Sequence, residues 1–255
     1  MLKVSVITIS YNSKEHVKLT LDTLKKQDYP CIESVIVDGG STDGTVEVIK
    51  AFADTFKGEV KWVSEKDKGS HDAINKGIQM ASGDIIGCCF DLFANRHVIS
   101  EIVNKIEMEH TDGVHGDLVY IGKDGEIVRY WKMGQGTIQA GWMPAHPTLY
   151  LKKEVYEKYG TYDERYHCSG DYEFMVRILK DQKCRLSYIP KIMIQMFYGG
   201  ISTNGMQAYY ISLKEAYLAL CRNKVRFPAF VIWLRMIRTF QQFRKKKRSL
   251  KRSNL

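Results

Sequence analysis

Several features that mark special protein classes are missing from this chain. It has five prolines and six cysteines in 255 residues, and no two cysteines have CxxC spacing. It also lacks a secretory apolar segment near its start, and no apolar run is long enough to span a bilayer. We therefore expect free thiols in a reducing compartment and a cytoplasmic protein.

Acidic residues are absent from the C-terminal part of the chain. No Asp or Glu follows Glu215, whereas twelve Lys and Arg residues do. The net charge of +9 for the whole chain thus leaves −3 for residues 1–215. Because only the tail is basic and it carries no known RNA- or DNA-binding motif, we expect no nucleic-acid partner.

The remaining composition is that of a globular protein, with 44% hydrophobic and 26% charged residues. Short β-branched or apolar runs at 3–9, 32–37, 60–63 and 85–90 indicate strands, and helical apolar spacing separates them. This alternation predicts βαβ units, hence a mostly parallel central sheet with helices on both faces. The loops after such strands meet at one edge, where ligands usually bind.

The pattern changes after about residue 110. Runs at 114–121 and 126–131 flank a Lys-Asp-Gly segment and predict a β-hairpin. Further elements are expected at 149–151 (a strand) and at 154–159, 171–180, 207–223 and 227–244 (helices).

Acidic side chains follow three of the predicted strands. Asp38, Asp67 and Asp91 each stand near a strand end, which suits a hydroxyl-rich ligand or a hard cation. The alternative is that these loops are simply polar. The glycine-rich segment 37–45 (VDGGSTDGT) lacks GxGxxG spacing, so it does not indicate a dinucleotide site.

Three segments together closely resemble the nucleotide-sugar domain of family 2 glycosyltransferases. They are SVITISYN at 5–12, VDGGSTDGT at 37–45 and SEKDKGSHDAINKGIQMASGD at 64–84. His146-Pro147, SGDYE at 169–173 and GGIS at 199–202 fit the same family, in the same order. The resemblance implies the GT-A fold, a Rossmann-like α/β architecture, and an inverting enzyme that uses a nucleotide-sugar donor.

The resemblance also assigns a donor site. It implies that uracil and ribose of a UDP-sugar lie on the first two strands, and that the loop after the third strand lines the nucleotide and its sugar. His71 stands where relatives often carry an aromatic residue, and we expect it to be a surface helix residue. The implied donor-binding residues are Thr8, Tyr11, Asp38, Asp67, Lys68, Gly69, Asp72, Asn75 and Lys76.

The metal loop departs from the family pattern. Relatives carry an acidic pair of DxD type that holds Mg²⁺ or Mn²⁺, whereas residues 87–94 are about two residues short and contain one carboxylate, Asp91. Asp91 is thus the candidate metal ligand, with His146 as a second, and a structural histidine is an equal alternative for His146. Cys88 and Cys89 are expected to be core thiols. The alternative function is that of an inactive protein that binds nucleotide-sugars without transferring the sugar.

Asp171 is the candidate catalytic base. Attack on an anomeric carbon needs a carboxylate to take the proton of the acceptor hydroxyl, and the family base occupies the corresponding acidic motif. A helix N-cap is the alternative role. The expected reaction moves a hexose or N-acetylhexosamine from a nucleotide-diphosphate donor, with UDP as the expected nucleotide, to a saccharide or lipid-linked acceptor in surface polysaccharide biosynthesis.

The composition divides the chain into a GT-A domain, 1–215, and a basic amphipathic helix and tail, 216–255. Aromatic and basic residues in 227–252 predict peripheral contact with an anionic membrane, at its cytoplasmic face. The alternative is a C-terminal helix packed on the domain. The predicted apolar face comprises Phe227, Phe230, Val231, Trp233, Leu234, Ile237 and Phe240.

Overall fold

The computed structural model describes residues 1–122, 124–197 and 206–243, without the side chains of 206–208 and 240–243. The strands are β1 (Val4–Ser10), β2 (Ile32–Asp38), β3 (Glu59–Ser64), β4 (Ile85–Cys88), β5 (Leu92–Phe93), β6 (Gly113–Ile121), β7 (Ile127–Trp131), β8 (Tyr150–Lys152) and β9 (Leu186–Phe197). The helices are α1 (Lys14–Lys25), α2 (Thr45–Ala53), α3 (Ser70–Met80), α4 (Val98–Glu109), α5 (Lys153–Tyr159), α6 (Gly170–Leu179), α7 (Met206–Arg222) and α8 (Pro228–Phe243).

The strands form one sheet in the order β3-β2-β1-β4-β8-β6-β9-β5, and β7 pairs with β6. The first four strands in this order are parallel, as the βαβ pattern predicted. The predicted hairpin is β6–β7, and β8 joins the two halves of the sheet through antiparallel pairs with β4 and β6. The strand ends that carry the predicted donor site thus meet at one edge of the parallel half.

Helices cover both faces of the sheet. On one face, α1 and α4 bury residues such as Leu21, Leu24 and Ile102 against the strands. On the other face, α3, α5 and α6 do so with residues such as Ile74 and Phe174. Burial on both faces explains why the strands are continuous apolar runs instead of alternating ones.

A third apolar cluster joins α6 to α7 and α8. It includes Val176 of α6, Ala216 and Leu220 of α7, and Val231 of α8. The composition boundary at residue 215 therefore lies within α7, and residues on the C-terminal side of it pack on the preceding domain. Within the described residues, no helix is both long enough and apolar enough to cross a membrane.

Candidate active site

Asp38, the last residue of β2, is buried and organises the loop that follows it. Its carboxylate accepts hydrogen bonds from the Ser10, Ser41 and Ser64 hydroxyls and from the backbone N–H groups of Gly40 and Ser41. Burial would raise the pKa of Asp38, but these hydrogen bonds, led by Ser41, lower it below its usual value. The ionised carboxylate therefore shapes the wall of the site and is already fully engaged.

Two of the predicted donor-binding residues, Tyr11 and Asp67, lie close together over Gly39. A Cβ placed on Gly39 would lie 3.1 Å from Asp67 Oδ2 and 3.2 Å from Tyr11 Cδ2. The Tyr11 side chain is 67% exposed, whereas the Asp67 side chain is mostly covered. An aromatic ring, a glycine backbone and a carboxylate thus face one another, an arrangement suited to a base and a ribose.

The two lysines of the predicted donor loop differ in their surroundings. Lys76 Nζ lies 2.8 Å from Glu65, 2.8 Å from Asp67 and 3.4 Å from Asp72. The hydrogen bonds that Lys76 donates to Asp67 and Glu65 raise the pKa of Lys76, so its charge is held by carboxylates. Lys68 is exposed and its ammonium makes no ion pair with the described residues. Of the two lysines, Lys68 is therefore the one whose charge is not already held by carboxylates of the described residues.

Two other predicted donor-binding residues have their side chains in the protein interior. Thr8 is buried and donates its hydroxyl to the carbonyl of Cys89, 3.1 Å away. The amide of Asn75 donates to the Tyr162 carbonyl and accepts from the Tyr162 N–H, both at 2.9 Å. Both side chains therefore fix the backbone around the site, and their polar atoms are engaged by the protein.

His71 is buried, so the expectation of a surface residue is wrong. It lies in the first turn of α3, directly after Gly69, and its Nδ1 is 3.0 Å from the carbonyl oxygen of Tyr166. Because that carbonyl can only accept, Nδ1 carries the proton. The opposite edge of the ring meets α6, since a Cβ on Gly170 would lie 2.7 Å from His71 Cε1 and Nε2.

Asp171 is the second residue of α6 and is partly exposed. Ser169 occupies the N-cap position, and Asp171 accepts a hydrogen bond only from the adjacent Tyr172 N–H, at 2.7 Å. The alternative role as N-cap is therefore wrong, although the first turn of a helix still favours an ionised carboxylate. The contact of Gly170 with His71 brings the start of α6, one residue before Asp171, against the first turn of α3.

His146 lies near Asp171 and His71 and forms a hydrogen bond with a tyrosine. Its Nε2 is 2.6 Å from the Tyr162 hydroxyl, and its ring packs on Phe90. Burial lowers the pKa of His146, with an opposing effect from Asp171 and a smaller lowering effect from His71. The neutral ring is thus a structural partner of Tyr162, the alternative that the sequence left open.

Asp91 lies beyond β4 and is buried beside His16, a histidine that no sequence motif pointed to. Nε2 of His16 is 3.3 Å from Asp91 Oδ1 and 2.7 Å from the Phe90 carbonyl oxygen. The Phe197 N–H also donates to Oδ1. The hydrogen bond to Asp91 raises the pKa of His16 above its usual value, in opposition to burial.

The described residues contain no cluster of three or more His, Cys, Asp or Glu side chains that could hold a metal ion. Mg²⁺ commonly keeps several waters and takes only one or two carboxylates together with substrate phosphates. The donor set therefore fits a cation held chiefly by a diphosphate, with Asp91 as its protein ligand and with His16 competing for that carboxylate.

Two further carboxylates hold the segment before and within α6, and one of them, Glu173, belongs to the SGDYE motif. Glu215 of α7 accepts the backbone N–H groups of His167, Cys168 and Ser169 at 2.8–3.0 Å. Glu173 pairs with Arg177, whose guanidinium also donates to the Tyr159 and Thr161 carbonyls. The only sequence signal for Glu215 is its place as the last acidic residue of the chain.

Comparison with known proteins gives relatives of one kind. An uncharacterised glycosyltransferase of Mycobacterium tuberculosis is 29% identical over 189 residues, which cover 68% of each chain. Among solved structures, S. aureus TarS superposes with a TM-score of 0.71 at 18% identity over 95% of this chain, which spans 44% of that chain.

TarS residues 1–349 in complex with UDP-GlcNAc match with a TM-score of 0.70 and 17% identity, covering 94% of this chain and 73% of that one. The mannosyltransferase PcManGT from Pyrobaculum calidifontis, in complex with GDP-Man and Mn²⁺, matches with a TM-score of 0.67 and 16% identity, covering 94% and 74%. These likenesses establish the GT-A fold. The model of glycosyl transferase family 2 matches residues 5–177, and the chain therefore belongs to that family.

Proposed function

We propose that this protein transfers a sugar from a nucleotide-diphosphate donor, preferably UDP-linked, to a hydroxyl of a saccharide or lipid-linked acceptor. The observation that carries the proposal is the contact between His71 and Gly170. It joins the first turn of α3, which follows the loop 67–69 beside Tyr11 and Gly39, to Gly170, the residue before Asp171. A donor-binding wall and a proton acceptor therefore border the same space, as a single displacement requires.

In the proposed reaction, Asp171 takes the proton of the acceptor hydroxyl as that oxygen bonds to the anomeric carbon. The bond between that carbon and the diphosphate breaks on the opposite face, so the configuration inverts and UDP leaves. Lys68 is the exposed cation next to the diphosphate position. Asp38, Thr8 and Asn75 hold the surrounding backbone in place.

A divalent cation, Mg²⁺ or Mn²⁺, would be held by Asp91 and the donor diphosphate and would neutralise charge on the leaving group. The Mn²⁺ in the PcManGT complex supports this part of the proposal. The UDP-GlcNAc complex of TarS supports a UDP-sugar, without deciding between hexose and N-acetylhexosamine. Surface polysaccharide assembly, with peripheral contact to an anionic membrane through 227–252, is the proposed setting; residues 244–255 lie outside the described residues.

The test uses the full chain with labelled UDP-GlcNAc, UDP-glucose, UDP-galactose and GDP-mannose, with a bacterial lipid extract as acceptor source. Each donor is incubated with Mn²⁺, Mg²⁺ or EDTA, and both UDP release and label in the lipid or saccharide fraction are measured. We expect product from a UDP-sugar. Nucleotide binding without any product would instead support the alternative of an inactive nucleotide-sugar-binding protein.

A further inference from the structure

Helix α8 is fixed to the catalytic domain by one of its sides. Val231 is buried in the cluster with α6 and α7, and Arg238 Nε donates to the carbonyl of Ala140 at 2.9 Å. The Arg235 guanidinium lies 4.1 Å from the centre of the Tyr172 ring. A Cβ on Gly141 would meet Leu234 and the backbone of Arg235 within 2.9 Å. The orientation of α8 on the domain is therefore determined.

Another side of the same segment carries uncovered aromatic rings. Phe227 is 76% exposed, Phe230 55% and Trp233 54%, and the last two rings stack with centroids 5.6 Å apart. The sequence predicted one apolar face here, but the structure divides those residues between a packed side and this exposed aromatic surface. Three large exposed aromatic rings within seven residues form a patch of the kind that marks an interaction site.

The positive charge around the aromatic surface indicates which kind of partner this surface binds. Lys224 and Arg226 are exposed beside it, and neither pairs with an acidic side chain of the described residues. The sequence from 216 onward contains twelve basic and no acidic residues. A second copy would bring the same charge to the interface, whereas an anionic lipid surface attracts it. Tryptophan and phenylalanine are also residues that favour the membrane interface.

We propose that Phe227, Phe230 and Trp233 insert into the interface of an anionic membrane, with Lys224 and Arg226 among the lipid phosphates. The opposite side of α8 contacts Tyr172, the residue after Asp171. Membrane binding therefore sets the orientation of the candidate active site relative to the lipid surface. This inference deepens the membrane contact proposed above, and lipid binding itself does not require sugar transfer.

The experiment measures co-sedimentation of the full chain with vesicles of phosphatidylcholine alone or with phosphatidylglycerol added. The test variant is Phe227→Ser/Phe230→Ser/Trp233→Ser, and Met108→Ser, at a residue 79% exposed on α4, is the matched control. A second variant, Lys224→Ala/Arg226→Ala, removes only the charge. Melting temperature, UDP binding and UDP release are measured on the same preparations, so that failure of the enzyme and failure of membrane binding are distinguished.

We expect the wild type and the control to bind anionic vesicles, and the triple variant to lose affinity by about tenfold or more with unchanged melting and UDP binding. The charge variant should bind more weakly at low salt and lose much of its salt dependence. Unchanged sedimentation of the triple variant would overturn the proposal. Two other results would also overturn it. One is a wild-type dimer that the triple variant converts to a monomer. The other is a triple variant that loses heparin binding but keeps vesicle binding.

Discussion

Nε2 of His16 lies 3.3 Å from Oδ1 of Asp91, so the one acidic residue of the predicted metal loop faces a basic group of the protein itself. A divalent cation that binds Asp91 has to share this carboxylate with His16 or displace it. If Asp91 binds a cation as proposed, this pairing should weaken the effect of the metal, and the following prediction separates the two partners.

Asp91→Ala should lower UDP affinity in Mn²⁺ about tenfold or more and leave the affinity in EDTA unchanged, because it removes the protein ligand of the cation. His16→Ala should increase the gain in affinity from Mn²⁺, since it frees the carboxylate. Titration calorimetry with UDP measures both. His97→Ala, which breaks the exposed pair of His97 with Asp28 and leaves Asp91 unchanged, is the control. An equal loss for Asp91→Ala in EDTA would mean that Asp91 is structural.

Asp171→Asn should reduce transfer by about 100- to 10,000-fold, the usual contribution of a general base. The amide keeps the shape of the carboxylate and loses the proton acceptor, so UDP binding should change little. Asp181→Asn, at an exposed residue just beyond α6, is the matched control and should retain activity. Near-normal turnover of Asp171→Asn would mean that Asp171 is not the catalytic base.

Gly170→Ala should impair both stability and transfer, although alanine is usually the better helix former. Its Cβ would lie 2.7 Å from the His71 ring and would push apart α3 and α6. We expect a loss of about 1–3 kcal/mol in the free energy of unfolding, as for other overpacked sites. In a His71→Ala background the same change should cost much less stability. Additive effects in this double-mutant cycle would contradict the contact.

Glu33 of β2 provides a prediction for acid stability. Its buried carboxylate pairs with Lys61 at 2.8 Å and accepts hydrogen bonds from Ser5 and Ser82. Burial would raise the pKa of Glu33, but these partners lower it from 4.5 to about 2. Because the folded-state pKa is the lower one, the stabilisation is complete above about pH 4.5 and disappears as the pH falls towards 2.

Glu33→Gln should therefore destabilise the protein by about 1–3 kcal/mol at pH 7, in line with losing charged hydrogen-bond partners in a buried site. The difference from wild type should shrink between pH 4.5 and 2, measured by denaturant unfolding. Glu59→Gln, at an exposed carboxylate near the same Lys61, should have little effect. A pH-independent difference would assign the effect to packing alone.

A truncation after Asn223 should aggregate, because it removes Val231 and the contacts of Arg235 and Arg238 with the domain. Size-exclusion chromatography and thermal melting check this outcome. If the shortened chain stays monomeric with an unchanged melting temperature, the packing of α8 contributes little to the stability of the domain.

The fold was largely predictable because buried parallel strands are continuous apolar runs and the helices between them have regular apolar spacing. Three elements were missed: α4, β9 and the two-residue strand β5. α4 has helical spacing in Ile99, Ile102 and Ile106 and could have been found. β9 contains Pro190, which breaks a strand pattern; in the structure, the pairing with β6 shifts from Ile189 to Ile192, so that Pro190 falls at an irregularity of the ladder.

The candidate site was less predictable than the fold. A motif identifies residues of a pocket, but it does not separate those that face a ligand from those that hold the backbone. Tyr11 is exposed. Thr8, three residues earlier in the same motif, is buried and donates a hydrogen bond to the carbonyl of Cys89. His16 and Asp91 are distant in sequence, and their pairing depends on how α1 packs beside β5, which no local pattern contains.

The hydrogen bonds of Glu215 have a consequence for the order in which the protein can fold. The carboxylate accepts three successive N–H groups that precede it by 46 to 48 residues, directly before α6. A nascent chain that ends at residue 197 would contain all the described strands of the sheet and the predicted donor-binding residues. Its loop 167–169 would still lack this acceptor. We therefore expect the segment directly before Asp171 to become ordered only when α7 docks, later than the described strands that precede α7 in the chain.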